Sequence, residues 1–111
     1  MNEEYIEILT EIKERENSSP ERMLFLSVIF QALLDATKEK TKVESPRTSV
    51  ERQHARAWFF CSVGVTCDNF EYVCENAGMN PEYTRSFAIK VINTKEIKYV
   101  RQKIRRVLDK S

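Results

Sequence analysis

An all-α domain, a compact bundle of about five to six helices, is predicted by three observations. Apolar residues recur at helical spacing along most of the chain, only two glycines and three prolines are present to build tight β-turns, and 111 residues with 41% apolar content suit one modest core. Residues 1–111 therefore read as a single helical domain. Residues 1–40 form its N-terminal helices, 50–92 its central part and 95–110 a basic C-terminal helix.

The first predicted helix covers residues 2–15, where Tyr5, Ile8, Leu9 and Ile12 make one apolar stripe. Asn17, Ser18, Ser19 and Pro20 break it and start the next. That second helix is expected from about Pro20 to Lys40. Ser27, Gln31 and Asp35 form a narrow polar stripe on it, while apolar residues between Met23 and Leu34 cover most of the remaining circumference. Such a helix wants burial on nearly all sides. Two arrangements provide that: a central core helix, or contact with a second copy of the chain. Dimerisation is the expectation adopted, through Leu26, Ile29, Phe30 and Leu33.

Residues 41–49 lack periodicity and read as a loop. A third helix is expected from Val50 to about Ser62, with Val50, Ala57, Trp58 and Cys61 on one face, Ala55, Phe59 and Ser62 near it, and Arg52 and Arg56 pointing outward. Residues 63–67 are β-branched around Gly64 and read as a turn or a short extended piece.

Asn69 to Arg85 has the pattern of a helix-turn-helix. Asp68 is an N-cap-type residue, Gly78 suits the left-handed turn that closes the first helix, and Asn80 with Pro81 starts the second, expected over 81–92. Val73, Cys74, Ala77, Met79 and Phe87 occupy the inward offsets that two helices crossing at about 100° require. Thr84 stands where a branched aliphatic residue is usual. An αα-corner with no DNA role has the same outline. The final helix is expected from Lys95 to about Lys110, with Ile97, Val100, Ile104, Val107 and Leu108 inward and a basic face outward. A rival reading makes residues 87–100 a hairpin, or wing, turning at Asn93 and Thr94.

Charge is uneven although the whole chain is only +1. Residues 1–40 carry five basic and nine acidic side chains, whereas residues 81–111 carry nine basic against three acidic, a local balance of +6. Positive charge thus begins with the proposed recognition helix, as a segment facing a polyanion requires.

Other function classes find less support. One histidine and no legible concave site argue against an enzyme, and no cofactor or small-molecule ligand is implied. His54, Cys61, Cys67 and Cys74 are spaced by seven, six and seven residues, whereas structural zinc sites favour ligand pairs two to four apart, so no metal is expected. The three cysteines read as reduced core or boundary thiols. Cys67, near a helix N-terminus, is the one position where a thiolate would be stabilised for redox sensing. The longest near-apolar run, Met23 to Leu34, is too short to span a bilayer, which at about twenty residues per span leaves a cytoplasmic protein as the expectation.

Phe70 to Arg85, with Arg52, Ala55, Arg56, Ala57, Trp58 and Ser62 upstream, resembles a group of small bacterial and prophage-encoded helix-turn-helix DNA-binding proteins. The residues that carry the resemblance are Trp58, Phe70, Cys74, Glu75, Gly78, Pro81, Tyr83 and Arg85. Asn80 departs from a common Asp, Thr84 from a common Leu, and Cys67-Asp68-Asn69 from a longer acidic turn. The resemblance covers about a third of the chain and implies a bacterial, nucleoid-associated transcription regulator.

The expected function is therefore a sequence-specific regulator, acting as a homodimer on double-stranded DNA, with helix 81–92 in the major groove. Tyr83, Thr84, Arg85 and Ser86 would face base edges, with Arg85 contacting guanine. Lys90, Lys95 and Lys98, together with Arg52 and Arg56, would meet phosphates. Two alternatives stay open: a helical adaptor binding RNA polymerase or a phage component, and an architectural DNA-binding protein without sequence preference.

Overall fold

Ser19-Pro20, Ser45-Pro46 and Asn80-Pro81 start three helices by one device. In each, the side-chain oxygen of the first residue accepts a backbone N–H three places on, and proline fills the first helical position, where no N–H is needed. Each cap contributes about 1 kcal/mol. The computed structural model describes residues 19–61 and 64–109. Within them lie five helices: α1 (Pro20–Ala36), α2 (Pro46–Phe60), α3 (Val65–Asn76), α4 (Pro81–Asn93) and α5 (Ile97–Asp109). The helix predicted over residues 2–15 lies outside the described residues, as do Ser62, Val63 and Lys110.

Helix α1 is central and packs against all four of the others. Leu26, Ile29, Phe30 and Leu33 are buried in the core of this single chain, packed with Phe59, Phe70, Phe87, Val91, Val100 and Ile104. The expected assignment of these four residues to a dimer interface is therefore corrected: all four are covered by their own chain. The exposed apolar positions of α1 are Leu24, at 65%, and Val28, at 42%. The polar stripe holds as predicted, with Gln31 Nε2 donating to Asp35 Oδ1 at 3.3 Å.

The helix ends at Ala36, before the expected Lys40. Thr37 Oγ1 donates back to the Leu33 carbonyl at 2.7 Å, and residues 38–42 offer nothing apolar to bury. Helix α2 begins at Pro46, inside the stretch read as a loop, because Ser45 and Pro46 form a start signal. Its inner face is Arg52, Ala55 and Phe59; Ala55 and Phe59 lie near the expected apolar face and Arg56 is exposed as expected, but Val50 and Ala57 point outward and Arg52 inward, against the expectation.

Helix α3 starts four residues before Asn69. Gly64, at φ 95°, is its N-cap, and Asp68 sits in the first turn, where a carboxylate favours the positive end of the helix dipole. Helix α4 has its expected span to within one residue. Residues 87–93 and 97–100 are helical, so the wing reading is corrected; the Glu96 backbone N–H donates to Thr94 Oγ1 at 3.2 Å in the connection between α4 and α5. No helix among the described residues is long and apolar enough to cross a membrane.

Candidate nucleic-acid interface

The α3–α4 connection is closed by two backbone bonds that together define a Schellman turn. Met79 N–H reaches the Cys74 carbonyl at 2.9 Å and Gly78 N–H reaches that of Glu75 at 3.1 Å. The geometry needs a left-handed residue between them, and Gly78 has φ 75°. Buried Met79 and Cys74 add the apolar contact that accompanies this cap. Arg22, from the first turn of α1, lies against the glycine, so that a Cβ there would stand 3.0 Å from its guanidinium.

From this turn α4 buries Thr84, Phe87, Ala88 and Val91 and exposes Glu82, Tyr83, Ser86, Ile89, Lys90 and Asn93. Thr84 is only 1% exposed, and its hydroxyl donates to the Asn80 carbonyl at 2.9 Å. It is a core residue, so its assignment to a base edge is corrected. Arg85, half-buried, is withdrawn from the base edge by its partners. Its Nε donates to the Phe59 carbonyl at 2.8 Å, its Nη2 to that of Cys61 at 3.3 Å, and its guanidinium carbon lies 5.1 Å from the Phe70 ring centroid. Those carbonyls end α2, where a cation is favoured. Arg85 thus joins the second helix to the fourth, above an aromatic cluster in which Trp58 and Phe70 meet edge to face at 4.9 Å. Trp58 completes its own polar requirement by donating Nε1–H to Asn69 Oδ1 at 2.8 Å.

The two arginines expected to meet phosphates from α2 are also structural. Arg52 is buried and donates Nη1 and Nη2 to the two carboxylate oxygens of Glu44 at 2.9 and 2.7 Å. Arg56 Nε donates to the Ala36 carbonyl at 2.9 Å, closing the end of α1. Nearby Lys38 bridges Glu51 and Asp35, and Arg47 pairs with Glu51 at 2.9 Å. The hydrogen bond from Arg52 holds the Glu44 carboxyl below its usual range, and those from Lys38 and Arg47 do the same to Glu51.

What remains on the surface is a second set of cations. Lys90 on α4, Lys95 in the connection, and Lys98, Arg105 and Arg106 on α5 are all exposed, and Lys103 lies 5.4 Å from the centre of the Tyr99 ring. Lys95, Lys98, Arg105 and Arg106 enter no ion pair among the described residues. The sequence places Arg105 and Arg106 on the basic outward face of the last helix, opposite Val100, Ile104 and Val107, but nothing in it singles them out as contact residues, whereas Arg85 stands out by its place in a motif.

Neither Cys67 nor Cys74 is activated. Burial, and then the charge of Glu71, pushes Cys67 up, and burial pushes Cys74 up to about 11. The position near the start of α3, expected to stabilise a Cys67 thiolate, is outweighed by desolvation and a neighbouring carboxylate. Comparison with known proteins adds no constraint: no family model, curated protein or solved structure matches the chain.

Proposed function

We propose that this chain is a DNA-binding transcription regulator that meets double-stranded DNA with the exposed edge of α4 and the cations beside it. The observation that carries the reading is the division of labour among its basic residues. Arg52, Arg56 and Arg85 are engaged by Glu44 and by carbonyls of the helix ends, Arg56 while still exposed, whereas Lys95, Lys98, Arg105 and Arg106 stand at the surface of the C-terminal third with no ion pair among the described residues. Folding does not require that concentration of charge; a polyanionic partner does. Tyr83, 45% exposed, and Ser86 take the base-facing role on α4, and the surface lysines take phosphates. Arg85 sets the angle of α4 without touching a base.

Homodimerisation belongs to the same proposal with its seat moved to Leu24 and Val28, since two copies would let two α4 helices enter major grooves about 34 Å apart. An open groove of about 610 Å³ runs beside these residues between α1 and α2, lined also by Ala32, Ala55, Trp58 and Leu108. The same groove favours the second reading, a helical adaptor whose partner would lay an apolar helix there.

Fluorescence anisotropy of labelled duplexes with random-sequence competitor, at about 50 and 200 mM salt, tests the first reading. Specific binding lost in Tyr83→Ala/Ser86→Ala supports a regulator. Equal, strongly salt-dependent binding to every duplex means architectural binding. No binding at low salt overturns DNA recognition and leaves the adaptor.

A further inference from the structure

Three cations of α5 line one small cleft. Lys98, Arg101 and Arg105 are spaced i, i+3 and i+7, which puts them on one stripe of the helix, and with Thr37, Glu39 and Ile97 they enclose about 240 Å³ beside the end of α1. Basic residues at a helix C-terminus usually serve its free carbonyls. Here that need is already met. The Leu33 carbonyl accepts from Thr37 N–H and Oγ1, that of Leu34 from Arg101 Nη1 at 2.5 Å, that of Asp35 from the Lys38 N–H, and that of Ala36 from Arg56. Arg101 Nη1 also meets Thr37 Oγ1 at 2.7 Å, so this guanidinium is held in place by α1.

Lys98 and Arg105 are therefore surplus to the cap, exposed, and without an ion pair among the described residues. Only Nη1 of Arg101 is engaged, and no buried side-chain nitrogen or oxygen among the described residues lacks a partner, so Nε and Nη2 are reachable by solvent. Burial first, and then the charge of Arg105, lowers the Arg101 pKa, against a smaller opposing effect of Asp35.

We propose that this cleft binds a phosphate of the DNA backbone, with Arg101 as the fixed donor and Lys98 and Arg105 closing on the oxyanion from either side; this deepens, and rests on, the DNA-binding reading. Three of the six residues that line the cleft are cationic, which suits a phosphate oxyanion. Against these cations stands a single carboxylate, Glu39, which leaves the site net positive.

The test uses Lys98→Gln/Arg105→Gln, which spares Arg101, with Lys42→Gln in the exposed α1–α2 connection as control. The double variant is expected to bind every duplex about tenfold more weakly, with the slope of log K against log salt reduced by about 1, while the control is unchanged. Inorganic pyrophosphate is expected to shift the amide resonances of Thr37, Lys98 and Arg105 in the wild type and not in the double variant. An unaltered duplex affinity and slope in the double variant overturns the cleft and leaves DNA binding standing. If the wild type binds no duplex, the DNA reading fails, and the pyrophosphate titration alone decides the cleft: shifts at those three amides uphold an oxyanion site, and their absence removes it.

Discussion

Arg85 Nε lies 2.8 Å from the carbonyl oxygen of Phe59, a bond between residues 26 apart that fastens α4 to the end of α2. An arginine so placed is a structural cap, and its removal leaves two carbonyls and the Phe70 ring face without their cation. Arg85→Ala is expected to cost about 1–3 kcal/mol in urea denaturation. Among folded molecules the ranking of duplex sequences should stay unchanged. A selective loss of affinity at one base pair, with stability intact, would return Arg85 to the reading face.

Gly78→Ala forces a Cβ into a left-handed turn and toward the Arg22 guanidinium. A loss of about 1–2 kcal/mol is expected, and Gly78→Asn should recover part of it because Asn tolerates this conformation better. Equal stability of the Ala variant would show that the turn relaxes.

Interior and surface positions of α1 should separate cleanly. Leu33→Ala opens a cavity under a fully buried side chain and is expected to cost about 2–5 kcal/mol. Leu24→Ser/Val28→Ser should change monomer stability by only about 0.5 kcal/mol, yet lower the mass seen by sedimentation equilibrium if copies meet there. A mass identical to the wild type at all concentrations would place the homodimer contact elsewhere or nowhere.

Acid should weaken the fold through Glu44 and Glu51. Both have folded-state pKa values depressed below 4.5, so each binds its proton more weakly in the native state than in the unfolded chain. Their stabilisation is complete above the unfolded value and is lost as pH falls through the folded ones. Thermal melts from pH 6 downward should show a falling Tm below about pH 4.5 that is flatter in Glu44→Gln/Glu51→Gln. Parallel curves would exclude the pairs as its source.

Cys74 should resist alkylation by iodoacetamide at pH 8, since its pKa of about 11 and its burial both keep the thiolate scarce. Adding urea should restore labelling to the rate of an ordinary thiol. Fast reaction of Cys74 in native protein would mean that α3 and α4 open locally.

The helical bundle and the Gly78 corner were legible because periodicity and capping are local signals. Ser45-Pro46 is as clear a start signal as Asn80-Pro81, but no apolar period follows it closely enough to mark the helix behind it. Orientation was harder to read. Arg52 is drawn inward by Glu44, eight residues before it, and Arg85 by carbonyls more than twenty residues away, and neither pairing leaves a mark in the spacing of apolar residues. Arginine is especially deceptive here, since the same fork serves a guanine, a phosphate or a helix end.

Because α1 touches every other helix, no part of the described fold can detach without disturbing it. Amide exchange within α1 should then proceed only through global opening, and protection measured at Leu33 should equal the full free energy of unfolding. The bundle should then unfold as one cooperative unit, with a destabilising change in an outer helix lowering the exchange protection of α1 by a similar amount.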